Sequence, residues 1–335
     1  MNEWLGSPRM VDEKDLEASF VAAGEDIDVI VSEVGPRDGL QSVARAMPTA
    51  VKQRWIAGLA AAGLTEIEVG SFVSPKRLPQ MADTAEVVAA AVQIPGLTVQ
   101  ALVPNLKGAE RAIAAGVHKL TIPASASRAH SLANVGMTPE QAIAEVKKIC
   151  ALRDSMAAER RPGVEAGVAT AFGCTMEGPV SEDWVMRMAA MLVAAGADSV
   201  GLADTTGYAN PAQVKRMFTR LEREIGDKAG GAHFHNTRGQ GLANVVAALD
   251  AGVTTFDSSQ GGLGGCPYAP GATGNIVTED LVFLLEAMGL RTGIDIDRLI
   301  AARAVIAEGL PGEPLYGQVA EAGLPKGFVP AANRA

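Results

Sequence analysis

The sequence predicts an α/β protein whose strands and helices form a (β/α)8 barrel. From residue 27 onward, a unit of roughly 25–40 residues recurs. In each unit a short β-branched run precedes a turn rich in Gly, Pro, Asn, Asp and Ser, and an Ala/Leu-rich helical stretch follows. Eight such units in about 260 residues match the usual size of this barrel, about 250 residues. The alternation of strands and helices implies a parallel sheet covered on both faces.

The alternative fold is a doubly wound open sheet of the dinucleotide-binding type. Its first strand-to-helix turn would carry G-x-G-x-x-G, whereas residues 35–39 of this chain read Gly-Pro-Arg-Asp-Gly. This difference favours the barrel. Small and branched side chains are then expected to fill the interior layers of the barrel, with glycine serving its turns.

The predicted elements follow the chain in order. The strands span residues 29–34, 66–69, 98–103, 119–122, 164–169, 199–202, 232–235 and 254–257. The helices span residues 50–62, 83–92, 107–115, 139–158, 182–195, 211–224, 239–251 and 279–288. An N-cap residue followed by proline marks two helix starts, at Pro139 and Pro211. Ala-Gly pairs mark four helix ends, at Gly63, Gly116, Gly196 and Gly252.

The chain divides into a barrel and two short flanking segments. Residues 1–26 are polar and acidic, and they are predicted to be an N-terminal extension. The catalytic barrel is predicted to span residues 27–310, including an extra C-terminal helix near residues 295–306, and residues 311–335 form a Pro/Gly-rich tail. The chain has no apolar run of about 18 residues and no signal-peptide core, so we expect no membrane span.

Composition narrows the class of protein further. The 335 residues include 29 Lys+Arg and 38 Asp+Glu, for a formal charge of −9, and 48% are hydrophobic. The apolar fraction excludes a disordered chain. The negative charge argues against nucleic acid or an anionic membrane as the main partner. The three cysteines are too few and too far apart for a disulfide framework, so we expect a reducing compartment and a cytoplasmic protein.

Two histidines on one predicted strand are the first candidates for chemistry. His233 and His235 lie two residues apart, so both imidazoles point to the same side of the strand. Together with a carboxylate from another strand they would form a divalent-metal site at the barrel mouth. The alternative is two ordinary histidines that are hydrogen-bonded at a polar barrel end.

Other polar residues also cluster where predicted strands end, which is where barrel enzymes place their catalytic groups. Asp38 is a candidate metal ligand and Arg37 a candidate partner for developing negative charge, although the two would otherwise form a surface ion pair worth under about 1 kcal/mol. Glu68 and Asp204 are either orienting carboxylates or structural acids. Cys266 lies in a glycine-rich loop, either as a thiol on a mobile lid or as an incidental thiol. These residues indicate a metal-dependent enzyme for a small oxygen-rich substrate.

Four segments together carry a family resemblance. They are the run from Glu33 to Gln41, the run from Ser71 to Lys76 with Pro79-Gln80-Met81, the run from His233 to Gly239, and the glycine loop from Gly262 to Asn275. Over about residues 28–295 the chain resembles the 3-hydroxy-3-methylglutaryl-CoA lyase family. The cysteine in the glycine loop is the most specific feature, because other metal barrels share only R-D-G and H-x-H.

The resemblance implies a homodimeric barrel enzyme that binds Mg²⁺ or Mn²⁺. The implied metal ligands are Asp38, His233, His235 and Asn275. The implied reaction cleaves a carbon–carbon bond of a 3-hydroxyacyl-CoA, most closely 3-hydroxy-3-methylglutaryl-CoA, to give acetyl-CoA and acetoacetate. Arg37 would stabilise the enolate, and Cys266 would act from a closing loop. Proton transfer and orientation would fall to Asp204 and His233 with Glu68 nearby, and the identity of the base stays open.

The chain departs from the family pattern in places where an acyl tail could be recognised. Asn236 and Arg238 replace the acid and the aromatic residue of H-x-H-D-T-Y/F-G, and Ser42-Val43 follows Gln41 in place of Asn-Glu. After Cys174 the common Pro-Tyr is replaced by Thr-Met. The expected substrate-binding residues are Arg37, Gln41, Asn236 and Arg238.

Three alternatives remain open from the sequence. The substrate would be a relative such as citramalyl-CoA or a longer branched 3-hydroxyacyl-CoA. The enzyme would instead be a synthase that condenses acetyl-CoA with a 2-keto acid, which the cysteine loop disfavours. The third alternative is a barrel that binds CoA thioesters or metal without turnover.

Overall fold

Eight parallel strands close into a barrel in the computed structural model, which describes residues 27–264 and 274–334. Each strand pairs with its neighbours in chain order, and the last strand pairs with the first through Ile30 opposite Thr255 and Glu33 opposite Ser258. The predicted barrel is therefore confirmed. The strands are β1 (Ile30–Glu33), β2 (Glu66–Ser71), β3 (Thr98–Leu102), β4 (Lys119–Ser125), β5 (Gly163–Ala169), β6 (Ser199–Asp204), β7 (Ala229–Phe234) and β8 (Thr255–Ser258).

Helices surround the barrel and cover its outer face. They are α1 (Thr49–Ala61), α2 (Thr84–Ala91), α3 (Leu106–Ala115), α4 (Arg128–Val135), α5 (Pro139–Asp154), α6 (Glu182–Ala194), α7 (Pro211–Ile225), α8 (Gly241–Leu249), α9 (Thr278–Ala287), α10 (Ile296–Gly309) and α11 (Gln318–Ala322). The extra C-terminal helix expected near residues 295–306 is confirmed as α10. No helix in the described ranges has the length and apolar character needed to cross a membrane.

The helix boundaries follow the signals in the sequence. Thr138 closes a capping box with Gln141 at the start of α5, and Asn210 accepts a bond from the backbone of α7. All four glycines predicted to end helices have positive φ. The sequence missed α4, a short helix between β4 and α5, and it extended α5 four residues too far, since that helix ends at Asp154.

The interior of the barrel is polar near its N-terminal end, so the expectation that small and branched side chains fill it is wrong there. Lys119 Nζ lies 2.8 Å from Glu66 Oε2 and 3.2 Å from Glu165 Oε2. These side chains line a cavity of about 390 Å³ together with Ser199 and Thr255. The apolar residues of the strands alternate with them and point outward, as in the fully buried Val164, Ala166 and Val168 of β5.

The C-terminal residues, which the sequence sets apart as a tail, lie against the barrel. The backbone N–H of Tyr316 donates to Gly261 O at 2.8 Å, at the start of the glycine-rich loop. Val319 is buried, and the ring of Phe328 lies 5.2 Å from that of Phe283 on α9. Residues 311–334 therefore complete the outer layer beside α9 and α10.

A buried carboxyl group at the end of β1 ties three segments together. Glu33 Oε1 accepts bonds from Gly35 N at 2.8 Å and Gln260 N at 2.9 Å, and Thr278 Oγ1 donates to Glu33 Oε2 at 2.7 Å. Complete burial raises the pKa of Glu33 to about 8. The folded state thus binds a proton that the unfolded chain releases above pH 4.5, and the stability from this group falls as pH rises from about 4.5 to about 8.

We predict that Glu33→Ala lowers the free energy of unfolding by about 2–4 kcal/mol, because two buried N–H groups lose their acceptor. Glu33→Gln keeps an oxygen acceptor and should cost less than about 1.5 kcal/mol. Urea unfolding at pH 7 measures both. Glu308→Ala, which removes an exposed partner of Arg54, is the control and should cost less than about 0.5 kcal/mol. Equal losses for the two Glu33 variants would disprove the bridging role.

Candidate active site and metal centre

The R-D-G segment forms a single π-helical turn, Gly35–Gly39, directly after β1. The backbone N–H groups of Arg37, Asp38 and Gly39 all donate to Val34 O. A Cβ at Gly35 would lie 2.5 Å from Glu33 Oε1, so only glycine fits there. Such π-turns are frequent at functional sites. This one sets two charged side chains at the C-terminal mouth of the barrel.

Asp38 is a buried carboxylate with three donors around it. Its Oδ1 accepts from Arg37 Nη1 at 2.5 Å and Gln41 Nε2 at 2.6 Å, and Asn275 Nδ2 donates to Oδ2 at 2.7 Å. Burial opposes ionisation, but the charges of Arg37 and His233 hold the pKa of Asp38 well below its usual range. Asp38 is therefore ionised at neutral pH.

The two histidines of β7 converge as the sequence predicts. His233 lies on the strand, His235 follows its last residue, and their Nε2 atoms are 3.1 Å apart. His233 Nδ1 lies 3.0 Å from Asp257 Oδ2 on β8. Burial and the neighbouring His233 lower the pKa of His235 to about 4, so His235 is neutral. Burial opposes protonation of His233, but its hydrogen bond to Asp257 raises the pKa above the usual value.

Asn275 reaches the site because the end of the glycine loop crosses the barrel mouth. His235 and Asn275 form an antiparallel bridge, and Ile276 N donates to Phe234 O at 3.1 Å. A Cβ at Gly274 would overlap Gly262 O, so glycine is needed where the two ends of the loop meet. The segment thus lies beside the end of β7.

The residues present fit a divalent cation. Asp38, His233 and His235 each offer a ligand atom, and these atoms all lie within 4.8 Å of one another. Asn275 Oδ1 is buried and has no hydrogen-bond partner in the described part of the chain. Two facing imidazole nitrogens, a carboxylate and an unpartnered amide oxygen form the mixed N/O set that suits Mg²⁺ or Mn²⁺.

Residues of β2 and β4 hold Arg37 beside the candidate metal ligands. Its Nε donates to Glu68 Oε2 at 2.5 Å, and the hydroxyl of Thr121 donates to Glu68 Oε1. Burial raises the pKa of Glu68 in spite of the nearby Arg37 charge. Both oxygens of Glu68 are engaged, so this carboxyl group orients the guanidinium.

Asp204 lies at the end of β6 and shapes the loop that follows. Its Oδ1 accepts from Tyr208 N at 2.8 Å and its Oδ2 from Ala209 N at 3.1 Å. Burial raises the pKa of Asp204 to about 6. Each oxygen keeps a lone pair, so the carboxylate retains the ability to accept a proton.

The remaining predicted site residues differ in what they contact. Gln41 contacts Asp38, as described above. Asn236 Oδ1 accepts from Gly241 N at 3.0 Å and so caps the start of α8. Arg238 extends over the β6–α7 loop and donates to its backbone. Cys266 lies outside the described residues.

Sequence reasoning missed Asp257 and Thr121. Asp257 pairs with His233 across β7 and β8, and Thr121 lies on β4 two residues after Lys119, on the same face. Both are recognisable only from the register between neighbouring strands.

Comparison with known proteins agrees with this geometry. Residues 28–306 match the HMGL-like family model. The chain belongs to the HMGL-like family. It is 39% identical over 287 residues to the hydroxymethylglutaryl-CoA lyase YngG of Bacillus subtilis, covering 86% of this chain and 94% of that protein. It is 41% identical over 282 residues to the mitochondrial hydroxymethylglutaryl-CoA lyase of Macaca fascicularis, covering 84% and 86%.

A solved structure of an HMG-CoA lyase is similar to this chain in both sequence and fold. An HMG-CoA lyase from Acinetobacter baumannii, in complex with coenzyme A and 3-methylmalate, superimposes with a TM-score of 0.84 at 42% identity. The match covers 90% of this chain and 97% of that one. The family and the barrel inferred from the sequence are thus confirmed.

We predict that Asp257→Asn weakens Mn²⁺ binding about 10- to 100-fold, because His233 loses the carboxylate that orients its ring. Calorimetric titration of the metal-free protein measures the affinity. His118→Gln replaces an exposed histidine and is the control, with no expected change. Unchanged affinity in Asp257→Asn would show that Asp257 does not position His233.

Proposed function

We propose that this chain is a divalent-metal-dependent carbon–carbon lyase that cleaves 3-hydroxy-3-methylglutaryl-CoA to acetyl-CoA and acetoacetate. The observation that carries the proposal is the convergence of Asp38, His233, His235 and the unpartnered Asn275 Oδ1 beside a buried Arg37. The activity of the similar lyases supports the same reaction.

The chemistry requires a proton to leave the C3 hydroxyl while negative charge builds on a thioester enolate. A bound Mg²⁺ or Mn²⁺, held by Asp38, His233, His235 and Asn275, would supply Lewis acidity toward substrate oxygens. Arg37 stays charged, and its bonds to Glu68 and Asp38 fix the guanidinium before substrate arrives. A preorganised cation of this kind stabilises the enolate oxygen without reorganisation.

Proton transfer falls to groups whose protonation changes near neutral pH. Asp204, with a pKa raised by burial to about 6, is suited to accept the hydroxyl proton, and His233 lies on the neighbouring strand. Glu68 contributes orientation through Arg37. Cys266 is proposed to act from the glycine loop, and it remains a prediction from the sequence.

Gln41, Asn236 and Arg238 are the proposed substrate contacts at the mouth. The Acinetobacter baumannii relative holds 3-methylmalate, a branched hydroxy diacid, and this favours citramalyl-CoA as the alternative substrate of the same reaction. The proposal includes a homodimer, as the family resemblance implies. It also includes a cytoplasmic location, which the two buried free cysteines of the described chain, Cys150 and Cys174, accord with.

We expect release of acetyl-CoA from 3-hydroxy-3-methylglutaryl-CoA to require added Mg²⁺ or Mn²⁺ and to stop with chelator. Arg37→Met should lower kcat about 10²- to 10³-fold, because the developing enolate loses its cation. Arg216→Met, at an exposed ion pair on α7, is the control and should keep wild-type kcat. Turnover in the absence of any divalent metal would overturn the proposal. A parallel assay with citramalyl-CoA decides between the two substrates.

The pH profile should reflect Asp204. The carboxyl group is protonated below its pKa of about 6, so kcat should fall as pH decreases through that value. Asp204→Asn should lower kcat at every pH and remove this acidic limb, whereas Asp250→Asn on the protein surface should keep it. An acidic limb that persists in Asp204→Asn would assign the titration to another group.

A further inference from the structure

An arginine and a tyrosine from neighbouring loops form a stacked pair at the rim of the barrel mouth. Arg238 follows β7, Tyr208 follows β6, and the guanidinium carbon lies 4.6 Å from the centre of the tyrosine ring. Both side chains are exposed, Tyr208 to 37%. The reaction steps proposed above do not use the tyrosine ring, and they name Arg238 only as a substrate contact without saying which group it binds.

The ring of Tyr208 is held in place by the backbone around it. Asp204 accepts its N–H, and a Cβ at Gly207 would lie 2.5 Å from Thr237 Cβ. A Cβ at Gly173 would lie 2.6 Å from Cδ2 of the tyrosine ring, so the ring packs directly against a glycine of the β5–α6 loop. The platform under Arg238 is therefore built by three loops of the mouth.

The guanidinium is anchored but not saturated. Arg238 Nη1 donates to Thr206 O at 3.2 Å and to Gly207 O at 2.9 Å. Nε and Nη2 have no hydrogen-bond partner within residues 27–264 and 274–334. An arginine held by stacking and by one nitrogen loses little further entropy when its remaining donors bind an anion.

The position of Arg238 indicates which part of a ligand it meets. It lies three residues after His235, which is 5% exposed, whereas Arg238 itself is exposed. An anion at Arg238 therefore belongs to a portion of the substrate outside the buried reacting centre. At this point of the rim Tyr208 supplies an aromatic surface and Arg238 supplies a cation.

We propose that Arg238, supported by the ring of Tyr208, is a specificity-determining residue that binds an anionic group of the acyl-CoA at the rim of the mouth. The group is a phosphate of the CoA or a carboxylate of an extended acyl chain, which share the same bidentate hydrogen-bonding chemistry. This inference rests on the proposed function, because it assumes an acyl-CoA in the barrel mouth.

The test compares KM and kcat of the wild type with those of two variants, Arg238→Gln and Arg238→Lys. Arg238→Gln should raise KM about tenfold, the effect of one lost charge-assisted contact, with kcat within about twofold. Arg238→Lys keeps the positive charge but loses the paired guanidinium donors, so its KM should lie between that of the wild type and that of Arg238→Gln. Arg187→Gln is the matched control, since Arg187 also stacks on a ring, that of Trp184, on the outer helix α6.

Substitution of Tyr208 tests whether its ring supports anion binding by Arg238 or only stabilises the loop. Tyr208→Phe keeps the ring and should keep KM, whereas Tyr208→Leu should raise it severalfold. The thermal unfolding temperature of each variant shows whether the substitution also destabilises the protein. A KM that is unchanged within twofold in Arg238→Gln, or a loss confined to kcat, would overturn the proposal, and so would an equal effect in Arg187→Gln.

A substrate that lacks the CoA phosphates shows whether Arg238 binds a phosphate or an acyl carboxylate. With the pantetheine thioester of the same acyl group, the KM penalty of Arg238→Gln disappears if the anion is a CoA phosphate and persists if it is a carboxylate. Calorimetric binding of CoA alone gives an independent measure without turnover. A wild-type protein that neither binds nor cleaves acyl-CoA would refute the proposed function, whereas a wild type that cleaves it with no penalty in Arg238→Gln would refute this inference alone.

Discussion

A buried guanidinium surrounded by carboxyl groups organises the C-terminal mouth of the barrel. Arg37 donates to Glu68 and Asp38, and the charge of Asp257 also acts on it. A charge removed from water is costly unless it is paired and hydrogen-bonded. Arg37 can be buried only if the turn after β1, the end of β2 and the end of β8 stay in one register, and the pairing of β1 with both strands provides it.

The same charges favour a cation at the candidate metal centre. Three carboxyl groups, those of Asp38, Glu68 and Asp257, act on a single guanidinium, so acidic groups outnumber arginines at this part of the mouth. The two Nε2 atoms of the neighbouring histidines approach to 3.1 Å, which is favourable when a proton or a cation is shared between them. The excess of acidic groups, the facing ring nitrogens and the Asn275 Oδ1, which is unpartnered among the described residues, all favour a divalent cation at one point.

Local signals in the sequence predicted most of the fold and the convergence of the candidate metal ligands, whereas the remaining contacts depend on the register between strands. The recurring strand–turn–helix unit and the glycine stops are visible in sequence, and spacing alone places His233 and His235 on one side of β7. The pairing of Asp257 with His233 depends on how β8 aligns with β7, which no local pattern encodes. Both faces of a parallel strand are buried, so alternation does not reveal which residues point into the barrel. Glu66, Lys119 and Glu165 are tolerated there because Lys119 pairs with both carboxyl groups, and burial raises the pKa of Glu165 to about 7, which reduces its charge.

Asp204 connects the reacting centre to the rim. Its carboxylate holds the backbone N–H of Tyr208, and the charge of Arg238 lowers its pKa against the larger effect of burial. An anion bound to Arg238 would offset that charge, so the pKa of Asp204 would rise toward neutral pH, where a general base is most effective. Since coupling between two binding events is reciprocal, a protonated Asp204 would in turn favour the bound anion. The proposed substrate recognition at the rim and the proposed proton transfer by Asp204 would therefore be linked through one short loop, the one that carries Tyr208.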